Sequence, residues 1–544
     1  MIFSVSKING FFSQADKFLL LALLVSFLSG IQGINWGWYN CLNPDAMAFR
    51  SISSYPPLHP GNFDKPPLLT YLNNVLINEP TKLAANAVVF CGWNKHNAES
   101  VRLHWRTILS RLLQSVFYAG SIIFCFLFAR EWFGLGSARA VALLLGTCAG
   151  FVPFRIFLTA DLPLVFWMMA SLYFSGRIIR DPGLIRFSLL AGACAGLATA
   201  TKYNGLGIAV ALPLAHFLAP GGFLAAWRRP SFYLAGLAVP AAFILANPYS
   251  ILDWRKFTAD FMYNYTVTPV YSGETGYGYW KFLTKFTQIF GWPLSVLIPL
   301  LIVLSLVCLF GFQQRQARRA MILLVGVFAL YYYQIGGFPR VETRFVLPMA
   351  PVVLLMTGPA LALLSRWRMA LLSLVVPLAA YGLICGWFVG RVFAEDPRMD
   401  ALVWARKNIP PQAKIEAGNS PKWDCLEDKD IKVTKFPTGL QRNKTFTKTL
   451  SDNAWVTSRL SESQQKNDVN FFTEAALKSR GSDYITFDSR NTEDLPAREF
   501  LVNMRQGKYG YGVRFSGSTP EQPKWVYPQS IDFCRVSFWI LGKN

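Results

Sequence analysis

The chain has 544 residues, 53% of them hydrophobic and 15% aromatic, with a formal net charge of +22. Only 15% is charged, against about 25% in an ordinary soluble domain, and the many long apolar runs exclude a simple globular protein in favour of a polytopic membrane protein. A nucleic-acid binder would concentrate its basic excess on a soluble face, but the 24 Lys/Arg and 19 Asp/Glu from Arg391 to Asn544 leave that tail only +5, and the rest sits in the apolar part of the chain.

In chain order, residues 17–34 are apolar with no small-residue cleavage pattern, which predicts a retained first span. Further spans are expected near 102–128, 138–154, 161–176, 186–201, 204–219, 231–247, 287–312, 320–336, 345–364 and 369–390, about eleven transmembrane helices in all. One set of connectors, 129–139, 177–186, 220–230, 313–319 and 365–368, is rich in arginine and poor in acids. The positive-inside rule makes that side cytoplasmic. The N-terminus is then inside. The 41–101, 248–286 and 337–344 loops and the tail face outward, which is the periplasmic side of a bacterial inner membrane.

The outer loop 35–101 predicts two surface helices. Asn43-Pro44 reads as an N-cap with proline at the first helical position, placing Asp45 in the first turn. After Pro67, LLTYLNNVLI puts Leu68, Leu72, Val75 and Leu76 on one face, an amphipathic helix lying on the membrane. No internal repeat of the transporter kind is evident. From Arg391 onward, turn signals such as NIPPQAK and strand-like runs such as DYITF and VSFWIL suit one small soluble α/β domain. The expected division is a transmembrane catalytic domain over 1–390 and an extracytoplasmic domain over 391–544.

The nine cysteines lack zinc spacing. Cys125, Cys148, Cys194, Cys308 and Cys385 lie in apolar runs and read as core packing. Disulfides Cys41–Cys91 and Cys425–Cys534 are open in an oxidising compartment. His59, His96, His104 and His216 show no metal spacing, so no metal site and no cofactor is read. Asn264 and Asn443 stand in glycosylation sequons that matter only in a glycosylating host.

The residues able to carry chemistry lie on the outer side. Asp45 at a helix start either stabilises that start or, partly desolvated, serves as a base. Lys65, in FDKPPLL, is presented from stiff extended backbone before proline, where it holds a phosphate or anchors the helix to headgroups. Asp161 opens a span in FLTADLPLVFW, six residues after Arg155; an ionisable group there is costly, and is either functional or an N-cap. Lys202 interrupts two apolar segments. Arg340 and Arg344 flank Glu342, forming either an anion site or an internal Arg–Glu pair.

Taken together, NPDAMAF, FDKPPLLTYL, TADLPLVFW, GLATATKYNGL and RFVLPMAP resemble the ordered landmarks of the GT-C glycosyltransferases, in the branch of protein O-mannosyltransferases and lipid A aminoarabinose transferases. The resemblance spans roughly 17–390, with KPPL after an outer acidic loop its most specific landmark. It implies a GT-C membrane fold and a polyprenyl-phosphate sugar donor. It also implies inverting transfer to a lipid, glycan or protein acceptor on the outer face. By the same resemblance Asp45 is the general base, Asp161 orients substrate, and Lys65, Lys202 and Arg344 meet the donor phosphate; metal dependence stays open. The first loop departs from the pattern: it reads Asn-Pro-Asp-Ala where many relatives carry an Asp-Glu pair, which leaves the acceptor class open. The competing readings are a lipid or solute transporter, disfavoured by the missing repeat and by acids at span ends, and a non-catalytic assembly or sensor protein working through its tail.

Overall fold

A computed structural model of the chain describes residues 16–37, 46, 52, 58–267, 276–311, 315–410, 412–417, 433–435, 473–489, 495–523, 525–526, 531, 534 and 536–544. Each expected apolar run is helical, but the runs differ in length and continuity. Among the described residues five helices are long and apolar enough to cross a membrane: Asn97–Phe133, Asp161–Arg180, Trp292–Leu309, Arg315–Gly336 and Arg368–Asn408. A pair bent by 50°, Leu135–Gly146 with Ala149–Ile156, makes a sixth. Lys17–Ile31, Ile185–Thr201, Tyr203–Leu218 and Pro230–Ala246 are apolar but shorter.

Local chemistry sets the ends of these helices. Asp16 caps the Lys17–Ile31 helix by accepting from the Phe18 and Leu19 amides at 3.0 and 3.3 Å, and Arg139 holds the cap at 2.7 Å. The Asp161–Arg180 helix carries its acid in the first turn and Arg177 and Arg180 in the last, in the sense the helix dipole favours. It stops before Asp181-Pro182-Gly183, because proline cannot continue it. Small residues let neighbours approach closely. A methyl group on Gly192 would strike the Ala235 carbonyl and one on Gly196 that of Val239, so the Ile185–Thr201 and Pro230–Ala246 helices pack backbone to backbone. The outward faces stay apolar: Leu237 and Leu245, and Val296, Leu300, Val303 and Val307, are all more than half exposed, as lipid-facing positions are.

Two expectations are corrected. The single span over 345–364 is three short helices, Thr343–Val346, Met349–Met356 and Gly358–Leu364. Pro348 and Gly358-Pro359 interrupt it, and its burial inside the bundle lets neighbours satisfy the freed backbone groups. The helix after Pro67 continues well beyond LLTYLNNVLI, through a π turn at Asn74–Asn78 and on to Phe90. Leu69, Thr70, Asn73 and Ile77 face inward at ordinary helical spacing, while Val75 and Leu76 are exposed. Arg155, six residues before Asp161, is buried, donates to Ser26 O and Ser29 Oγ, and stacks over Tyr118. The surface helix expected around Asp45 lies outside the described residues. So do Cys41 and Cys425; Cys91 is exposed, and the five cysteines in apolar runs are buried.

The tail holds a five-stranded mixed sheet: β1 (Ile415–Ala417), β2 (Val433–Lys435), β3 (Tyr484–Asp488), β4 (Tyr511–Ser518) and β5 (Ser537–Lys543), in the order β2-β1-β3-β5-β4. β1 runs parallel to β2 and β3, while β5 is antiparallel to β3 and β4. DYITF and VSFWIL supply β3 and β5, with Ile485 opposite Leu541. Alternation along the strands sorts their side chains to two faces. Ile485, Phe487 and Leu541 join Phe500, Leu501 and Met504 in a small core. Phe538 and Ile540 instead join Ala401, Leu402 and Ala405 in the large cluster that runs on into the membrane helices.

A buried polar knot fastens this junction. Asp396 caps the Pro397–Asn408 helix, takes the Arg398 guanidinium at 2.9 Å and accepts from Trp36 Nε1 at 2.7 Å. Arg111 in turn donates to the carbonyls of Ile34 and Trp36. Trp36, Asp396 and Arg398 are all 2% exposed or less. The chain leading into the outer loop is thus fixed to the root of the tail.

Candidate active site

The site is built around Asp161. The preceding Thr159 hydroxyl donates to its Oδ2 at 2.6 Å, and Lys202 Nζ reaches its Oδ1 at 2.7 Å. Asp161 is 2% exposed and Lys202 23%, so the carboxylate is enclosed and the ammonium still has an open side. Lys202 ends the Ile185–Thr201 helix in extended backbone, which turns its side chain back toward the head of the Asp161–Arg180 helix. Tyr203–Val210 then continues as an unusually long 3-10 helix. Enclosure lowers the proton affinity of Lys202, the pull of Asp161 opposes this, and the nearby charges of Arg344 and Lys65 lower it further.

Arg344 comes from the broken helix on the far side of the sequence. Its guanidinium carbon lies 5.3 Å from the Phe345 ring centre, and Lys202 Nζ lies 5.0 Å from the same ring. Both cations therefore share one aromatic surface. Glu342 pairs with Arg344 at 2.6 Å and also with Arg340. The segment is held from below: Lys281 donates to Pro339 O at 3.1 Å, and Thr343 donates to Gln288. Asn204 donates to the Tyr331 hydroxyl at 2.7 Å, and that hydroxyl donates to Phe345 O at 3.0 Å. The residue two positions after Lys202 is thereby linked to the residue after Arg344.

Lys65 is half-buried at the head of the helix that follows the two prolines. Just before it, Phe63 is fully buried, its amide donating to Asp260 Oδ2 at 3.0 Å and its carbonyl accepting from Tyr203 at 2.7 Å. His59 meets Asp253 at 3.1 Å across the same loop.

Asp161, Lys202 and Arg344 are thus brought together, and Lys65 stands two residues from the Phe63 carbonyl that accepts from Tyr203, the neighbour of Lys202. Asp45 lies outside the described residues. Among the described residues no three His, Cys, Asp or Glu side chains are placed to hold a metal ion. Sequence reasoning missed Thr159, Tyr203, Asn204, Asp260, Tyr331 and Phe345. Tyr203 and Asn204 were visible as polar residues beside Lys202 in an apolar stretch. Asp260 gave no signal, because its partner is 197 residues away.

Residues 106–250 match the family of dolichyl-phosphate-mannose-protein mannosyltransferases, a stretch that includes Asp161 and Lys202. No curated protein matches the chain by sequence. Among solved structures, ArnT from Cupriavidus metallidurans in the apo state is 14% identical with a TM-score of 0.54, covering 96% of this chain and 97% of that one. The same protein bound to undecaprenyl phosphate is 14% identical with a TM-score of 0.52 and the same coverage. The archaeal oligosaccharyltransferase AglB from Archaeoglobus fulgidus, in complex with an inhibitory peptide and a dolichol-phosphate, is 13% identical with a TM-score of 0.47, covering 94% of this chain and 74% of that one. The apolar helices mark a membrane protein, and the family match and the ArnT likeness bear out the resemblance read from the motifs: the chain has the fold of the GT-C glycosyltransferases.

Proposed function

We propose that the chain is an inverting glycosyltransferase that moves a monosaccharide from a polyprenyl-phosphate donor to an acceptor hydroxyl or phosphate at the outer face of a bacterial inner membrane. The observation that carries this reading is the gathering of Lys202 and Arg344 on one aromatic ring, with Asp161 against Lys202 and Lys65 two residues from the Phe63 carbonyl that Tyr203 takes. Cations crowded in this way repel one another, and a bound phosphate relieves that repulsion. The undecaprenyl phosphate of the ArnT structure supplies the donor class.

On this reading the acceptor oxygen forms its bond to the anomeric carbon from the face opposite the phosphate. The bond from that carbon to the phosphate oxygen breaks, and its electron pair leaves with the phosphate. The acceptor proton passes to the Asp45 carboxylate. Lys65, Lys202 and Arg344 stabilise the charge that grows on the leaving phosphate, and Asp161 holds Lys202 in place. Apolar helices hold the prenyl chain, whose binding energy is remote from the reacting carbon. The eleven apolar segments each cross or enter the bilayer, the N-terminus is cytoplasmic, and the tail stands outside over the acceptor.

The experiment is transfer of label from radiolabelled polyprenyl-phosphate sugars to membrane fractions. Wild-type protein transfers label, whereas Asp45→Asn loses about a thousandfold in rate while keeping its chromatographic and thermal profile. Near-normal turnover by purified Asp45→Asn removes the base assignment. No transfer from any such donor by wild-type protein removes the reading itself.

A further inference from the structure

Phe63 is tied at both ends of its peptide unit by two different elements. Its amide donates to Asp260 at 3.0 Å, from the Trp254–Val267 helix, and its carbonyl accepts from the Tyr203 hydroxyl at 2.7 Å. Asp260 is 5% exposed and is held in turn by Lys256 at 3.4 Å. The Phe63 ring has no exposure and meets Phe257 edge-on at 5.7 Å, while Tyr203 meets Phe261 at 4.9 Å. A loop residue in an irregular segment is therefore fixed by a buried carboxylate, a hydroxyl and an aromatic cluster. Two residues further on stands Lys65, and one residue before Tyr203 stands Lys202.

This arrangement does more than tether a loop. The stem of Lys65 and the stem of Lys202 come from elements far apart in sequence, and the Tyr203–Phe63 bond is a direct brace between them. Like charges brought together drift apart unless their backbones are fixed. We propose that Asp260 and Tyr203 are positioning residues for Lys65, setting its ammonium at a fixed spacing from Lys202 so that both meet one phosphate. The inference rests on the reading of Lys65 as a donor-phosphate contact.

The test is a double-mutant cycle, which isolates residues that act through one another. Full-length protein is purified into nanodiscs, and its affinity for undecaprenyl phosphate is measured. Lys65→Ala weakens binding about tenfold. Tyr203→Phe removes one hydroxyl and Asp260→Ala the carboxylate, and each weakens binding several-fold in the otherwise wild-type chain. Asp260→Asn, whose amide oxygen still accepts from Phe63, keeps most of the affinity. In the Lys65→Ala background Tyr203→Phe and Asp260→Ala have no further effect. Losses that persist undiminished in that background overturn the proposal, because the two residues then act elsewhere. Full affinity in Tyr203→Phe and Asp260→Ala, with Lys65→Ala still weakened, overturns it and leaves the phosphate reading standing. Full affinity in Lys65→Ala overturns both.

Discussion

The Asp161–Arg180 helix carries charge at both ends, about 30 Å apart, and the two ends are built on different principles. At its last turn Glu131 takes Arg177 at 3.1 Å and Arg180 at 2.9 Å, with Asp181 adding a second acid to Arg177 at 3.2 Å. Acids and bases balance there, and the arginines are between a quarter and two-fifths exposed. At its first turn Asp161 is enclosed, and in the ion pairs seen among the described residues Lys202, Arg340 and Arg344 share the two acids Asp161 and Glu342. Exposed, balanced pairs contribute little beyond placing the helix end. An enclosed, cation-rich cluster is expensive in the free protein and is rewarded only by an anion. The difference teaches where to look on a helix with charge at both termini: at the end where the charges do not cancel.

Substitutions at four positions test that contrast, the strongest first. Asp161→Ala leaves Lys202 enclosed without its carboxylate, so it lowers stability by about 3 kcal/mol and abolishes transfer; denaturant unfolding and a transfer assay read the two effects. If stability barely changes, the first-turn cluster is no more costly than the last-turn one and the comparison fails. Lys202→Ala spares folding better but lowers transfer about a hundredfold. Because the proton affinity of Lys202 is lowered, wild-type donor affinity falls as pH rises through a value below the ordinary lysine range, and Lys202→Arg removes that inflection. Lys65→Ala weakens use of the donor about tenfold and use of the acceptor much less; equal losses for both substrates mark Lys65 as structural. Glu131→Gln is the control at the other end. It costs under about 1 kcal/mol and leaves transfer unchanged, and a large transfer defect would erase the distinction between the two ends.

Much of this was legible in the sequence. The apolar runs mark the helices, and the arginine-rich connectors put Asp161, Lys202 and Arg344 on one side before any contact is known. FDKPPLL announces Lys65 because proline stiffens the backbone beside it. What escaped were effects of packing and of distance. The breaks at Pro348 and Gly358-Pro359 depend on surrounding helices that satisfy the freed backbone. The helix after Pro67 buries Leu69, Asn73 and Ile77 and leaves Val75 and Leu76 exposed, a choice of face made by its neighbours that the apolar pattern does not record. Arg155 was six residues from Asp161 in sequence but spends its donors on the first helix. The ties from Asp260 and Tyr203 to Phe63 cross 197 and 140 residues, and no local pattern records such a bond.

The knot of Trp36, Asp396 and Arg398 carries a practical consequence for anyone who would graft one enzyme's tail onto another's membrane part. The cut cannot fall simply after the Arg368–Ala394 helix, because Asp396 and Arg398 just past it neutralise each other inside the core and hold the indole that begins the outer loop. A chimera that exchanges the tail must carry Asp396 and Arg398 with the recipient's own Trp36, or bring all three from the donor. Separating Asp396 from Arg398 buries an unmatched charge, and losing Trp36 strips the Asp396 carboxylate of its indole donor.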